Sequence, residues 1–419
     1  VMRGCFEDTL HYSSPGHGDW GVVRIGMLAP ESVQLFVCPS ACGRHGALGA
    51  MRQGLKDRLH YLYVSQSDIV NGYDDLIPEA AAEVIAVSEK RPKVFFIFVS
   101  CLDDLIGTDH TALLERLREE HPDIKFRVCH MNPISLGSQT PPPVSIQNNL
   151  YSLLEPGNRK DGGINTIGNL EPIAESCELY EFLRAFGVET VRHISQYQTF
   201  DSYQEMAKSR YNLVLFAPGR QAAAQMEERL QIPRLFLPVT YDLEEIEENY
   251  RLLKETLFPK SGELFDFSPW IRRAREAIDE ARKAVGDLPI IIDASATAQP
   301  FGMAKALLTY GFHVARVEAQ DCMPFDRTHM EWILKEHPEV EVFQPEHHRA
   351  VLFDRRMENS LALGVEGAYL AGSKHTADLF NDGGMFGYDG VIRLMRLLSE
   401  AAEQETDLEQ LINGYGLVV

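Results

Sequence analysis

The sequence has no apolar stretch long enough to cross a membrane and no strongly basic tract. Its 419 residues contain no run of about 18 apolar residues, and no charged-then-apolar leader opens the chain. Acidic residues outnumber basic ones by 61 to 40, so the formal charge is −21. A surface of that sign repels nucleic acid. We therefore expect a cytoplasmic protein that associates with neither membranes nor nucleic acids.

Motifs that bind phosphate or zinc are also missing. The sequence contains no P-loop, which would read GxxxxGK followed by Ser or Thr. No GxGxxG turn follows a strand pattern, and neither HExxH nor paired CxxC motifs occur. We expect this chain to bind no nucleotide, so a nucleotide-driven reaction would need a separate nucleotide-binding partner.

Cysteine is scarce and scattered. The seven cysteines are too few for a disulfide scaffold, and their odd number suggests free thiols of which some are inert and some bind metal. They are Cys5, Cys38, Cys42, Cys101, Cys129, Cys177 and Cys322.

Short apolar runs alternate with helical patterns along most of the chain. The runs at 33–37, 94–100 and 124–129 are typical of buried strands, and similar sets follow after a linker rich in Pro and Asn at 133–162. This alternation predicts an α/β protein of three Rossmann-like domains, each a mostly parallel sheet with helices on both faces. The expected domains are 1–160, 161–286 and 287–419. In the last of them we expect a helix near 356–363 and a strand at 367–373.

Two cysteines lie where a buried strand gives way to a helix. Cys42 and Cys101 both take this position, and ligands of parallel sheets bind beyond the carboxyl ends of the strands. Helix N-terminal amides favour the thiolate, which is the form that binds iron. The alternative is that both are ordinary buried cysteines, but two of them on neighbouring strand ends favour ligation.

The other cysteines are more ambiguous. Cys38 is either a third ligand or the last residue of a strand, and Cys5 is either a loop ligand or a spectator thiol. For Cys129 the apolar neighbours favour core packing. Cys177 and Cys322 are predicted to be structural.

Four segments of the chain resemble one known family. They are ACGRHGALGA at 41–50, FVSCLDDLIGTDH at 98–110, NLVLFAPGRQAAAQMEERLQIPRLFLPV at 212–239 and GYDGVIRLMRLL at 387–398. In order and spacing they resemble the nitrogenase component 1 family, which also includes subunits of light-independent protochlorophyllide reductase and of the reductive cyclase of nickel tetrapyrrole synthesis. The similarity extends over nearly the whole chain.

The resemblance implies an iron–sulfur cluster, 4Fe–4S or larger, with Cys42 and Cys101 as direct ligands. The family's first ligand falls near SSPGHGDWGVV at 13–23, which contains no cysteine here, so Cys5 and Cys38 are the candidates for the remaining positions. Phe216 stands where nitrogenase has a cofactor-binding cysteine. Binding of a molybdenum–iron cofactor in the nitrogenase manner is therefore not expected.

The resemblance also implies an activity and partners. It suggests an oxidoreductase subunit, in a homodimer or heterotetramer, that takes low-potential electrons from an ATP-hydrolysing iron-protein-like reductase and reduces an unidentified substrate. The partner is expected to contact polar groups near Arg44, His45 and Asp103. Alternatives are a scaffold for metallocofactor assembly and a non-catalytic iron–sulfur electron-transfer or sensor protein.

Overall fold

Three sheets form the framework of the part of the chain that the structure describes. The computed structural model describes Phe6, residues 21–40, Ala50, and residues 54–131, 140–157 and 159–415. Helices connect and flank the strands in each part. The predicted α/β architecture of parallel sheets flanked by helices is confirmed.

The first sheet has four strands in the order β2-β1-β3-β4. All three neighbouring pairs are parallel. The strands are β1 (Ser32–Cys38), β2 (Leu59–Tyr63), β3 (Val94–Val99) and β4 (Lys125–His130). The helices of this segment are α1 (Gly21–Met27), α2 (Gln66–Asn71), α3 (Leu76–Val87), α4 (Cys101–Ile106), α5 (His110–Glu120) and α6 (Pro142–Tyr151).

The central strands of this sheet are buried on both faces. Every residue of β3 is at most 1% exposed, as expected for a parallel strand covered on both sides. Odd-numbered residues of β1, such as Leu35, pack with buried residues of α3 and α5. On the opposite face Phe36 stacks on Phe98, with ring centroids 4.6 Å apart. Cys38 belongs to this second face, because side chains alternate along a strand.

The second sheet also has four strands, in the order β6-β5-β7-β8. Its central strands β5 and β7 are parallel. The strands are β5 (Ile164–Ile167), β6 (Val191–Arg192), β7 (Tyr211–Val214) and β8 (Arg234–Phe236). The helices are α7 (Glu178–Ala185), α8 (Phe200–Tyr203) and α9 (Gly219–Leu230).

The third sheet has five strands in the order β11-β10-β9-β12-β13, and all four pairs are parallel. The strands are β9 (Ile290–Asp293), β10 (Val314–Glu318), β11 (Glu341–Phe343), β12 (Leu361–Leu363) and β13 (His375–Ala377). The helices are α10 (Leu243–Leu257), α11 (Ser268–Val285), α12 (Pro300–Thr309), α13 (Arg327–Glu336), α14 (Val365–Ala371), α15 (Gly387–Glu403) and α16 (Leu408–Tyr415).

The chain divides into two compact units. Among the described residues, the amino unit lies within Asp19–Leu170 and Arg192–Arg234, and the carboxy unit lies within Glu171–Val191 and Leu235–Val419. The three domain ranges given above stay predictions. Within the described ranges, no helix is both long enough and apolar enough to cross a membrane.

Two predicted elements near residue 360 are wrong. The structure has the strand β12 where a helix was expected near 356–363, and the helix α14 in place of the strand at 367–373. Short apolar runs do not distinguish a strand from a buried helix by periodicity. Gly364, with φ +102°, makes the tight entry into α14, and Gly372 ends it in the left-handed conformation.

The Pro- and Asn-rich segment is not an irregular linker throughout. It contains the helix α6, whose proline at the first turn is compatible with helix geometry because no amide donor is needed there. Ile146 and Leu150 of this helix are fully buried. Because Pro and Asn favour turns, the sequence did not reveal the amphipathic helix in this segment.

Candidate functional site

The carboxyl edge of the first sheet brings two cysteine-bearing strand ends together. In the pairing of β1 with β3, Val37 lies opposite Val99, and the Ser100 amide donates to the Val37 carbonyl at 3.3 Å. Cys38 directly follows Val37, and Cys101 directly follows Ser100. Both cysteines therefore lie where neighbouring parallel strands end, which is the edge at which such sheets bind ligands.

The two thiols differ in exposure. Cys101 is the first residue of α4 and is partly exposed, whereas Cys38 is only 3% exposed. Neither forms a disulfide. Thiolates are the ligands that iron–sulfur clusters require, so an accessible free thiol at this edge fits the predicted group.

The remaining predicted ligands, Cys42 and Cys5, lie outside the described residues, as do Arg44 and His45. Over the described part of the chain, no three His, Cys, Asp or Glu side chains converge in a way that could hold a metal ion. Cys101 and Cys38 therefore supply at most part of a ligand set. Further ligands would have to come from Cys42, Cys5 or another chain.

The other three cysteines lie in places that disfavour metal binding. Complete burial raises the pKa of the Cys129 thiol to about 12, despite a hydrogen bond from the Asn149 amide at 3.3 Å. Burial also raises the pKa of Cys177 and, to about 12, that of Cys322. These thiols stay protonated near neutral pH, and the protonated form is a poor metal ligand.

The helix that begins with Cys101 packs in an unusual way. The six residues of α4 include a single buried one, the acidic Asp103, which is 0% exposed. The apolar Leu105 and Ile106 of the same helix are 84% and 46% exposed. The one apolar side chain of α4 that packs against the core cluster is Leu102, and it is only partly buried.

Asp103 is held by three donors from different parts of the chain. Its Oδ1 accepts from the Tyr73 hydroxyl at 2.7 Å and from the Thr108 hydroxyl at 3.0 Å, and its Oδ2 pairs with Nε2 of His110. Burial raises the pKa of the Asp103 carboxyl, but the bonds from His110 and Tyr73 outweigh burial and hold that pKa below its usual value. The bond to Asp103 raises the pKa of His110. Both shifts favour the charged forms, a carboxylate on Asp103 and an imidazolium on His110.

A second histidine–carboxylate pair lies alongside. Nδ1 of His130, at the end of β4, lies 2.8 Å from Oδ1 of Asp104. The rings of His110 and His130 meet edge to face with centroids 4.9 Å apart. Sequence reasoning missed this cluster, since residues from α4, α5 and β4 meet only once the sheet forms. The spacing of acids and histidines in CLDDLIGTDH is the one local signal.

The burial of Asp103 also corrects one expectation. The partner was predicted to contact polar groups near Asp103, and the Asp103 side chain itself, which has no exposure, is not one of the groups available for such a contact. The exposed large apolar residues of this turn are Leu105 and Ile106.

The sequence matches one family over most of its length. The model of the family described as nitrogenase component 1 type oxidoreductase matches residues 19–403. A curated relative, the nitrogenase iron-molybdenum cofactor biosynthesis protein NifE of Clostridium pasteurianum, is 25% identical over 167 residues. This match covers 39% of this chain and 36% of that relative, so it spans about a third of the relative's length.

Solved structures share the fold. The structure of nitrogenase Cp1 at pH 6.5 superposes with a TM-score of 0.70 over 96% of this chain and 94% of that one, at 14% identity. Nitrogenase Cp1 at pH 5 gives a TM-score of 0.62 over 96% and 90%, at 16% identity. At these identities the likeness shows the fold alone.

Proposed function

The chain belongs to the nitrogenase component 1 type oxidoreductase family, and we propose that it is a cytoplasmic component 1 subunit that holds an iron–sulfur cluster. The observation that carries this proposal is the free, partly exposed Cys101 at the carboxyl edge of the first sheet, beside the strand end of Cys38. In this proposal the cluster is 4Fe–4S or larger. When bound, it would store and pass on low-potential electrons.

The chain's own residues would hold and orient that cluster. Cys101 and Cys42 are the proposed direct ligands, and Cys38 and Cys5 are the candidates for the remaining positions. Cys38 lies at the end of a buried strand, so a ligand there would be shielded from water. Shielding and nearby hydrogen bonds are the means by which a protein sets the potential of a cluster.

We propose that the electrons come from an ATP-hydrolysing iron-protein-like reductase and that an unidentified substrate is reduced. The sequence contains no P-loop, so ATP would be bound by the partner. We also propose assembly as a homodimer or heterotetramer. The exposed apolar residues Leu105 and Ile106, next to Cys101, support a contact with another chain there.

A scaffold for metallocofactor assembly is the second candidate. The similarity to NifE, a cofactor biosynthesis protein, favours it. Such a scaffold would bind a cluster or cofactor and release it to an acceptor protein without reducing a substrate.

The test combines the anaerobically purified protein with its cognate reductase, dithionite and MgATP. The component 1 proposal predicts that the cluster signal is reduced in step with ATP hydrolysis, and that ATP alone gives no heat of binding to this chain in calorimetry. Equally fast reduction with a non-hydrolysable ATP analogue would reject ATP-gated electron transfer. Transfer of iron to an acceptor protein without such reduction would favour the scaffold.

A matched pair of variants tests the contact surface. Leu105→Glu adds a charge beside Cys101, whereas Leu264→Glu adds the same charge to an equally exposed leucine of the carboxy unit. We expect Leu105→Glu to slow reduction or to disrupt the oligomer in light scattering, with iron retained. Leu264→Glu should do neither. Identical behaviour of the two variants would reject a contact at Leu105.

A further inference from the structure

The turn that carries Cys101 is anchored by one buried carboxylate. We propose that Asp103 is a positioning residue, whose hydrogen bonds to Tyr73, Thr108 and His110 fix the orientation in which Cys101 meets the cluster. This inference rests on the proposed function, because it takes Cys101 to be a ligand. It adds to the proposed cluster site a residue that does not itself bind the cluster.

The packing of α4 requires such an anchor. A helix of six residues is too short to be stable by itself. Of its apolar side chains, Leu105 and Ile106 are exposed and Leu102 packs only in part against the core, whereas Asp103 is its single fully buried residue. The position of this helix therefore depends on the partial packing of Leu102 and, above all, on what Asp103 binds.

The three donors to Asp103 define both the position and the rotation of α4. Tyr73 lies 30 residues upstream, in the loop before α3, and is itself 2% exposed. Thr108 lies downstream, in the turn before α5, and His110 is the first residue of α5. Since the donors reach both carboxylate oxygens, α4 can neither slide nor turn without breaking a bond. Cys101 lies on the same helical turn, so any movement of Asp103 would move its thiol.

The neighbouring carboxylate reinforces the anchor from another strand. Asp104 bonds to His130 at 2.8 Å, and His130 contacts His110 edge to face. The end of β4 and the start of α5 thus hold adjacent residues of α4. This arrangement gives a rigid support to a metal ligand, which is what supporting residues around metal sites provide.

The first experiment measures the metal-free protein, so it does not depend on cluster loading. Asp103→Asn and Tyr73→Phe are alkylated with iodoacetamide, and modification of each cysteine is followed by peptide mass spectrometry. Asp103→Asn should raise the alkylation rate of Cys101 by about tenfold and Tyr73→Phe by less, because a loosened turn exposes the thiol. Cys322, in the carboxy unit, should react at an unchanged rate.

The second experiment measures the loaded protein. Asp103→Asn should keep its iron but show a shifted midpoint potential and an altered electron paramagnetic resonance spectrum. The control is Arg58→Met, which removes bonds to the backbone carbonyls of Met27, Ala29 and Ser32 at the amino end of β1. It should lower thermal stability without changing the potential, the spectrum or the reactivity of Cys101.

The outcomes separate the inference from the proposed function. An unchanged Cys101 alkylation rate in both Asp103→Asn and Tyr73→Phe overturns the positioning role. A midpoint potential of the Asp103→Asn cluster that shifts no more than that of Arg58→Met also overturns it. Full iron content in Cys101→Ala would instead reject the proposed ligand, and the inference with it.

Discussion

Glu318 makes the stability of the third sheet depend on pH. Its side chain is completely buried at the end of β10, directly opposite Asp293 of β9. Burial raises the pKa of Glu318 to about 7, with Arg316 opposing the rise and Asp293 adding to it. Arg316 opposes the rise only in part, since its Nη1 lies 3.4 Å from the carboxylate and its other bonds go to Glu341 and a backbone carbonyl.

The magnitude follows from the difference between the two states. The carboxyl titrates near 4.5 in the unfolded chain and near 7 in the folded one. Between these values the folded state holds the proton more tightly, so stability falls as the pH rises from 4.5 to 7 and then stays constant. At about 1.4 kcal/mol per pKa unit, the loss is about 3 kcal/mol.

Glu318→Gln removes this loss, because the amide has nearly the same shape and does not ionise. The variant should match the parent at pH 4.5 and exceed its free energy of opening by about 3 kcal/mol at pH 8. Hydrogen exchange of the β9 and β10 amides measures that free energy locally. Glu341→Gln, which alters the exposed partner of Arg316, should show no such pH-dependent gain. A Glu318→Gln advantage that does not change between pH 4.5 and pH 8 would refute the reasoning.

Two further predictions concern stability. Gly168 has φ +96°, and an added Cβ would lie 2.6 Å from a backbone carbonyl oxygen. Gly168→Ala should therefore lower the free energy of unfolding by about 2 kcal/mol or more and reduce the melting temperature. Gly157→Ala, with open space around the added Cβ, should be neutral. Burial lowers the pKa of His329, but bonds to Asp326 and Glu245 outweigh burial and raise it to about 9. The stability that His329 contributes is therefore complete below pH 6.5 and is lost as the pH rises through 9. His329→Gln should lower the free energy of unfolding by about 3 kcal/mol at pH 6.5 and by little at about pH 10, as measured by denaturation at both pH values.

Strand ends were the most predictable part of the candidate site. The run VFFIFV is short and rich in β-branched and aromatic residues, which favours a buried strand, and β3 ends one residue before Ser100, so the position of Cys101 followed from the sequence pattern. The same patterning was wrong for α14, because three or four apolar residues do not reveal a period.

The anchor at Asp103 could not be predicted from patterning at all. Periodicity would turn Leu105 and Ile106 inward and Asp103 outward, which is the reverse of the structure. The reversal depends on a partner 30 residues away, Tyr73, and on His110 beyond the next turn. Here a buried polar network, rather than local propensity, determines which side chain of α4 is buried, as is common at functional sites.

The most direct test of the account is the iron content of the Cys101→Ala protein, purified anaerobically beside the parent and Cys322→Ala. The parent and Cys322→Ala should be brown, with about four irons for each 4Fe–4S cluster. Cys101→Ala should be bleached, because loss of a thiolate leaves iron without its full coordination. Full iron content and an unchanged spectrum in Cys101→Ala would contradict the assignment of the cluster to the carboxyl edge of the first sheet.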